Sequence, residues 1–185
     1  MEIINQDYQS QLEILHRAGK FNNGALAYQL VEPFIKQYSP STLLDFGCGH
    51  GALIDIIQLS HPEIAVSGYD PGNSKFCQLP TETFDAVVST DALEHIEPEH
   101  LDQTLETIHD LIERCGFFRI ACYPAKKNLP DGRNAHLIVE SPDWWRQKIV
   151  SVMHMQIVSE TISIMDMSHK WPHVKGHNYD VVVIK

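Results

Sequence analysis

The sequence predicts a doubly wound α/β fold, a mostly parallel sheet with helices on both faces and a C-terminal antiparallel hairpin. Three observations carry this expectation. The apolar run Leu43-Leu44-Asp45-Phe46 breaks into Gly47-Cys48-Gly49-His50-Gly51, then resumes as Leu53, Ile54, Ile56, Ile57 and Leu59. That spacing reads as a strand, a tight turn and a helix, the opening of a βαβ unit. A second short run, Ile64 to Tyr69, ends in Asp70, and a third begins near Phe84 and ends in Thr90-Asp91.

The elements follow in order. Residues 7 to 18 carry Leu12, Ile14 and Leu15, with Gly19 placed to stop a helix. Lys20 to Gly24 is a turn-rich linker, equally readable as a lid segment or a surface connector. A second helix is expected from Ala25 to Tyr38, with Leu26, Leu30, Val31 and Phe34 on one face and Pro33 placed to kink it. Only thirteen residues, Pro71 to Thr83, separate Asp70 from the third run, and they include Gly72 and Pro80. A parallel crossover alone takes about a dozen residues, so the edge strand after Asp70 is expected to be shortened or missing. Leu101, Leu105, Ile108 and Ile112 recur at helical spacing between Pro98 and Arg114, and Gly116 to Tyr123 reads as a buried strand. Residues 124 to 140 form a long loop, and Ser141-Pro142-Asp143 starts a helix that carries Trp144 and Trp145. One tryptophan is expected on the sheet and the other, Trp144, toward a substrate. Gln156 to Met165 and Tyr179 to Ile184 would close the sheet as an antiparallel pair.

Composition narrows the function. The formal net charge is −10, a field that repels phosphate, and the longest basic run is Lys126-Lys127, so nucleic acid is disfavoured as a partner. No apolar run reaches membrane-spanning length, and the four cysteines lack metal-type spacing. A cytoplasmic protein acting on a small molecule is the expectation, with its oligomeric state left open.

Glycines at alternate positions permit backbone angles that a Cβ resists and let a ligand lie against the chain. Gly47, Gly49 and Ala52 also satisfy a dinucleotide fingerprint, with Asp70 at ribose-binding distance downstream. An NAD(P)-dependent oxidoreductase would further find a Tyr-x-x-x-Lys pair in Tyr123 and Lys127, but Pro124 argues against the helix which that pair needs. The pattern Asp45-x-Gly47-x-Gly49-x-Gly51 resembles the first motif of the class I S-adenosylmethionine-dependent methyltransferases. Asp70 resembles that family's ribose-binding acid, and Phe84-Asp85-Ala86-Val87 through Leu93-Glu94-His95 resembles its next conserved segment. The resemblance covers roughly residues 40 to 125.

It implies a Rossmann-like core over 41–185, N-terminal helices in 1–40 lying over the cofactor cleft, and one methyltransferase domain spanning 1–185. It further implies that Asp45, Gly47, Cys48, Gly49, Gly51, Asp70, Thr90 and Asp91 border S-adenosyl-L-methionine. A non-catalytic module that retains the fold is the alternative, supported by the short stretch after Asp70.

Transfer to oxygen requires a base or a metal ion to remove or acidify the acceptor's proton. Glu94, His95 and His136 are the catalytic candidates. Asp91, Glu94 and His95 stand at i, i+3 and i+4, so a helical turn would present all three on one side. With His136 they could hold a divalent ion. The arrangement resembles small-RNA 2′-O-methyltransferases and ubiquinone-pathway O-methyltransferases, with Asp91 where those have Glu; Leu-Glu-His also occurs in methyltransferases that use no metal. Arg133 and Asn134 are candidates for binding a polar or anionic substrate, or for building a turn on Pro130-Asp131-Gly132. His169, His173 and His177 are irregularly spaced and read as a solvated loop.

Overall fold

The computed structural model describes residues 3–17, 24–165 and 176–185. The linker at 20–24 lies almost wholly outside these residues, as do His169 and His173. Six strands, β1 (Thr42–Phe46), β2 (Ala65–Tyr69), β3 (Phe84–Thr90), β4 (Ile112–Ala121), β5 (Gln156–Met165) and β6 (Gly176–Ile184), form one sheet in the order β2-β1-β3-β4-β6-β5. The first four are parallel; β6 runs antiparallel between β4 and β5.

Side chains on the central strands alternate between two cores, as the two-residue strand period requires. Leu43, Ala86, Val88 and Phe117 pack on one face with helices α2 (Gly24–Tyr38) and α3 (Ala52–Ser60). Leu44, Val87 and Phe118 pack on the other with α4 (Leu101–Leu111) and α5 (Pro142–Met153). Ser141 caps α5, its side chain accepting from the Trp144 amide. The N-terminal helix α1 (Gln6–Arg17) belongs to neither layer. Its Tyr8 and Leu15 pack instead on Ala125, Leu129 and Ala135 of the long loop.

No strand or helix occurs in residues 70–83, so β2 is the sheet edge. The missing edge strand is therefore a feature of the fold. The helix expected from Pro98 begins as a 3-10 turn and ends at Leu111, with β4 starting directly at Ile112. Ile112 is fully buried and pairs with Phe84, so its apolar spacing served the strand rather than the helix. Among the described residues, no helix is long and apolar enough to cross a membrane.

Candidate active site

A cavity of about 430 Å³ opens at the carboxyl ends of β1, β2 and β3, beneath α1 and beside the long loop. In open α/β sheets this is where ligands bind. The turn after β1 forms its floor. Gly47 has φ +85°, and a Cβ there would lie 2.4 Å from the Ala92 Cβ, so only glycine fits between β1 and the chain leaving β3. Its amide donates to the Tyr69 carbonyl at 2.7 Å, as does that of Cys48 at 3.1 Å. Cys48 is buried, and burial raises its thiol well above the usual range, the reverse of what a nucleophile requires.

The segment after β2 secures this turn. Asp70 accepts from the Gly49 amide at 2.8 Å and from the Gly72 amide at 2.9 Å. Asn73 donates through Nδ2 to the Gly49 carbonyl at 2.7 Å, and the Asp70 amide donates to the Phe76 carbonyl. Hydrogen bonds of an irregular loop thus replace the support of a further strand. Asp45 is 2% exposed, and its carboxyl is pushed up to about 7 by burial, reinforced by the charge of Asp70. An unneutralised acid at that depth favours a cationic partner.

Glu94, His95 and His136 meet at one wall, their ligand-type atoms within 4.8 Å of one another. Glu94 is fully buried; its Oε1 accepts from the Ala121 amide at 3.2 Å, while Oε2 has no hydrogen-bond partner among the described residues. Burial, then the charge of Asp91, raises its carboxyl well above the ordinary range. His95 Nδ1 lies 2.7 Å from the Ala135 carbonyl and His136 Nδ1 lies 2.5 Å from the Tyr123 carbonyl. A carbonyl only accepts, so each ring carries its proton on Nδ1 and has its lone pair on Nε2. Burial lowers both imidazoles, His95 to about 3 with His136 contributing. The rings meet edge to face with centroids 4.8 Å apart, and His136 Nε2 is 3.9 Å from Glu94 Oε1.

Asp91 does not join this group, which corrects the expected quartet. Its backbone is left-handed at φ +52°, and helical turning begins only at Leu93, so the i, i+3, i+4 relation fails. The carboxylate lies instead 3.8 Å from Arg119 Nε, and that guanidinium also donates to both oxygens of Asp180 at 2.9 Å. Asp91 and Thr90 do line the cavity. Asn134 is a loop staple: its Oδ1 accepts from the Ala125 and His136 amides, and its Nδ2 donates to the Ala125 carbonyl. Arg133 is exposed and donates to Asp131 at 2.7 Å. Trp144 lies outside the cavity, edge to face on the buried Trp145, because its helix covers the sheet rather than the cleft.

Sequence reasoning missed Tyr8, Glu97 and His100, all of which line the cavity. Tyr8 donates its hydroxyl to the His95 carbonyl, tying α1 to the site. Its spacing with Leu12 and Leu15 was the available signal; Glu97 and His100 gave none.

Residues 15–161 match the model of a family described as a methyltransferase domain. No curated protein sequence matches the chain. Among solved structures, it is similar to the 1,6-didemethyltoxoflavin-N1-methyltransferase of Burkholderia thailandensis in complex with 1,6-didemethyltoxoflavin and S-adenosylhomocysteine. That likeness has TM-score 0.67 and 16% identity, covering 98% of this chain and 90% of the other. A coclaurine N-methyltransferase bound to N-methylheliamine and S-adenosylhomocysteine matches with TM-score 0.64 and 11% identity, over 98% of this chain and 79% of the other. A SAM-dependent methyltransferase from Archaeoglobus fulgidus matches with TM-score 0.59 and 16% identity, over 89% and 95% of the two chains.

Proposed function

The chain belongs to the methyltransferase-domain family, and on that premise we propose that it transfers a methyl group to an oxygen of a small polar acceptor. The observation that carries this reading is the pair of half-buried, neutral imidazoles whose Nδ1 protons are tied to backbone carbonyls at the cavity wall. S-Adenosyl-L-methionine, when bound, supplies an electrophilic sulfonium methyl. The residues present fit it: the glycine cradle at Gly47 that a Cβ would fill, and Asp45 and Asp70 buried at the cavity floor. Asp45 would neutralise a cationic group, and Asp70 would accept from hydroxyls while holding Gly49. His136 Nε2 would take the proton of the acceptor hydroxyl, with the Tyr123 carbonyl fixing the ring, as general-base catalysis requires. His95 and Glu94 would hold the acceptor oxygen in line, since alignment supplies much of such a rate.

A second reading has its own support. A metal-ligating histidine usually donates its other ring N–H to a carbonyl or carboxylate, as His95 and His136 both do here. Glu94, His95 and His136 would be the three protein donors to a divalent ion, without Asp91.

Calorimetric titration with S-adenosylhomocysteine tests the first reading; micromolar binding supports it, and no binding at millimolar ligand would sink it. Repeating the titration with manganese tests the second. Manganese binding that His136→Ala abolishes favours a metal centre, and its absence in the parent protein leaves His136 as base alone.

A further inference from the structure

Glu97 is a buried carboxylate for which the described residues supply no hydrogen-bond donor at Oε2. It sits two residues beyond His95, between two 3-10 turns, with an extended backbone that carries its side chain into the cavity wall. The side chain is 5% exposed. The nearest basic side chains stand beyond hydrogen-bonding reach: Arg133 at 3.7 Å from Oε1, already donating to Asp131, and His100 Nε2 at 4.0 Å from Oε2. An anion buried in this way is costly unless a donor arrives.

The surroundings define what arrives. Ile3, Ile4, Tyr8 and Ile96 line the same cavity and offer apolar and aromatic surface. Among the lining residues, Asp45, Asp70, Asp91, Glu94 and Glu97 are acidic, against Lys126 and Lys127, which are exposed. Burial favours the protonated form of Glu94 and Asp45, and Asp91 faces Arg119, so the attraction for a cation at this wall rests on Glu97 itself. We propose that Glu97 is the specificity-determining residue for the acceptor, receiving the ammonium or cationic N–H group of an amine-bearing substrate. Its carboxylate and the apolar wall grip the two ends of one small cation. The inference rests on the methyltransferase reading and adds the acceptor's class. A protonated nitrogen has no lone pair with which to take a methyl group, so at Glu97 it is an anchor. A hydroxyl elsewhere on the same molecule then faces His136.

The test uses benzylamine, benzyl alcohol and benzoate as probes, matched in shape and differing in charge. Each is titrated against the full chain saturated with S-adenosylhomocysteine, read by ligand-observed NMR and calorimetry. Benzylamine should bind at least tenfold more tightly than benzoate. Glu97→Gln, which keeps the shape and removes the charge, should weaken benzylamine at least tenfold while leaving benzyl alcohol and S-adenosylhomocysteine unchanged. A preference for benzoate, equal binding of all three probes, or no benzylamine binding by the parent protein overturns the inference, and these readings need no variant. Unchanged benzylamine affinity in a folded Glu97→Gln protein overturns it as well. Failure of S-adenosylhomocysteine to bind would instead strike the methyltransferase reading, so the two failures are distinguishable.

Discussion

Gly47→Ala separates two reasons for a glycine. Its φ of +85° lies in the left-handed region, and an added Cβ would stand 2.4 Å from the Ala92 Cβ, with the Ala92 Cα at an unstrained 3.8 Å. Gly132, at φ +92°, would have nothing within 4 Å of an added Cβ and so isolates the conformational part. The left-handed penalty is about 1–2 kcal/mol, offset by about 0.4–1 kcal/mol of lost unfolded-state freedom. Gly132→Ala should therefore cost about 1 kcal/mol. Carbon atoms pack at about 3.5–4.0 Å, so Gly47→Ala must also move the chain after β3 by about 1 Å, adding about 1–3 kcal/mol of overpacking. Its total is about 2–4 kcal/mol. Urea unfolding reads this as a midpoint lowered by about 1–2 M at unchanged slope. The double variant Gly47→Ala/Ala92→Gly removes the offending atom and should recover the overpacking part, a coupling of about 1–3 kcal/mol. Because Ala92 directly precedes Leu93–His95, Gly47→Ala alone should also weaken S-adenosylhomocysteine binding at least tenfold. Coupling below about 0.5 kcal/mol, within the error of additivity, would refute the claim that the close approach demands glycine.

Two further substitutions probe the charged interior. The Asp45 carboxyl is raised to about 7, so between about pH 4 and pH 7 the native state holds a proton that the unfolded chain has lost, and stability falls as pH rises through that window. Asp45→Asn removes this dependence, so its stability relative to the parent should improve by about 1–4 kcal/mol from about pH 4.5 to about pH 8; parallel urea-unfolding curves would contradict the assignment. Asp180→Ala takes both hydrogen bonds from Arg119, whose side chain is 12% exposed, and should cost about 2–4 kcal/mol by thermal unfolding. A loss under about 0.5 kcal/mol would mean that Asp91 alone satisfies the guanidinium.

The parts of the site that local backbone chemistry dictates were legible in the sequence. Gly47 to Gly51 and Asp70 announce a turn and its acid within a few residues of strand, and the count from Asp70 to Phe84 already pointed to a shortened or missing edge strand. The terminal hairpin was legible from its apolar runs. What depended on distant partners was not. Asp91 has the spacing of a helical neighbour of His95, but its backbone is left-handed and its carboxylate faces Arg119 on the adjacent strand. Asn134 offered the same polar atoms for substrate or for backbone, and the loop's own amides claimed them. Trp144 and Trp145 are adjacent in sequence, yet which one is buried depends on the angle at which α5 crosses the sheet. Glu97 carries no pattern at all; its meaning comes from burial.

The loop at 70–76 gives the ligand a place in the architecture. β2 is the outermost strand on its side, and the chain beyond it is held by bonds among Asp70, Gly72, Asn73, Phe76 and the glycine turn, and by Gln9 of α1 donating to the Pro71 carbonyl. A rim secured by scattered loop bonds opens more readily than the interior of a sheet, and its amides should be among the faster to exchange with solvent. A molecule bound against it would act as the absent neighbour, closing the rim by a free energy that grows with ligand concentration. Occupancy would then be written into the exchange rates of β2, the strand at the open edge of the sheet.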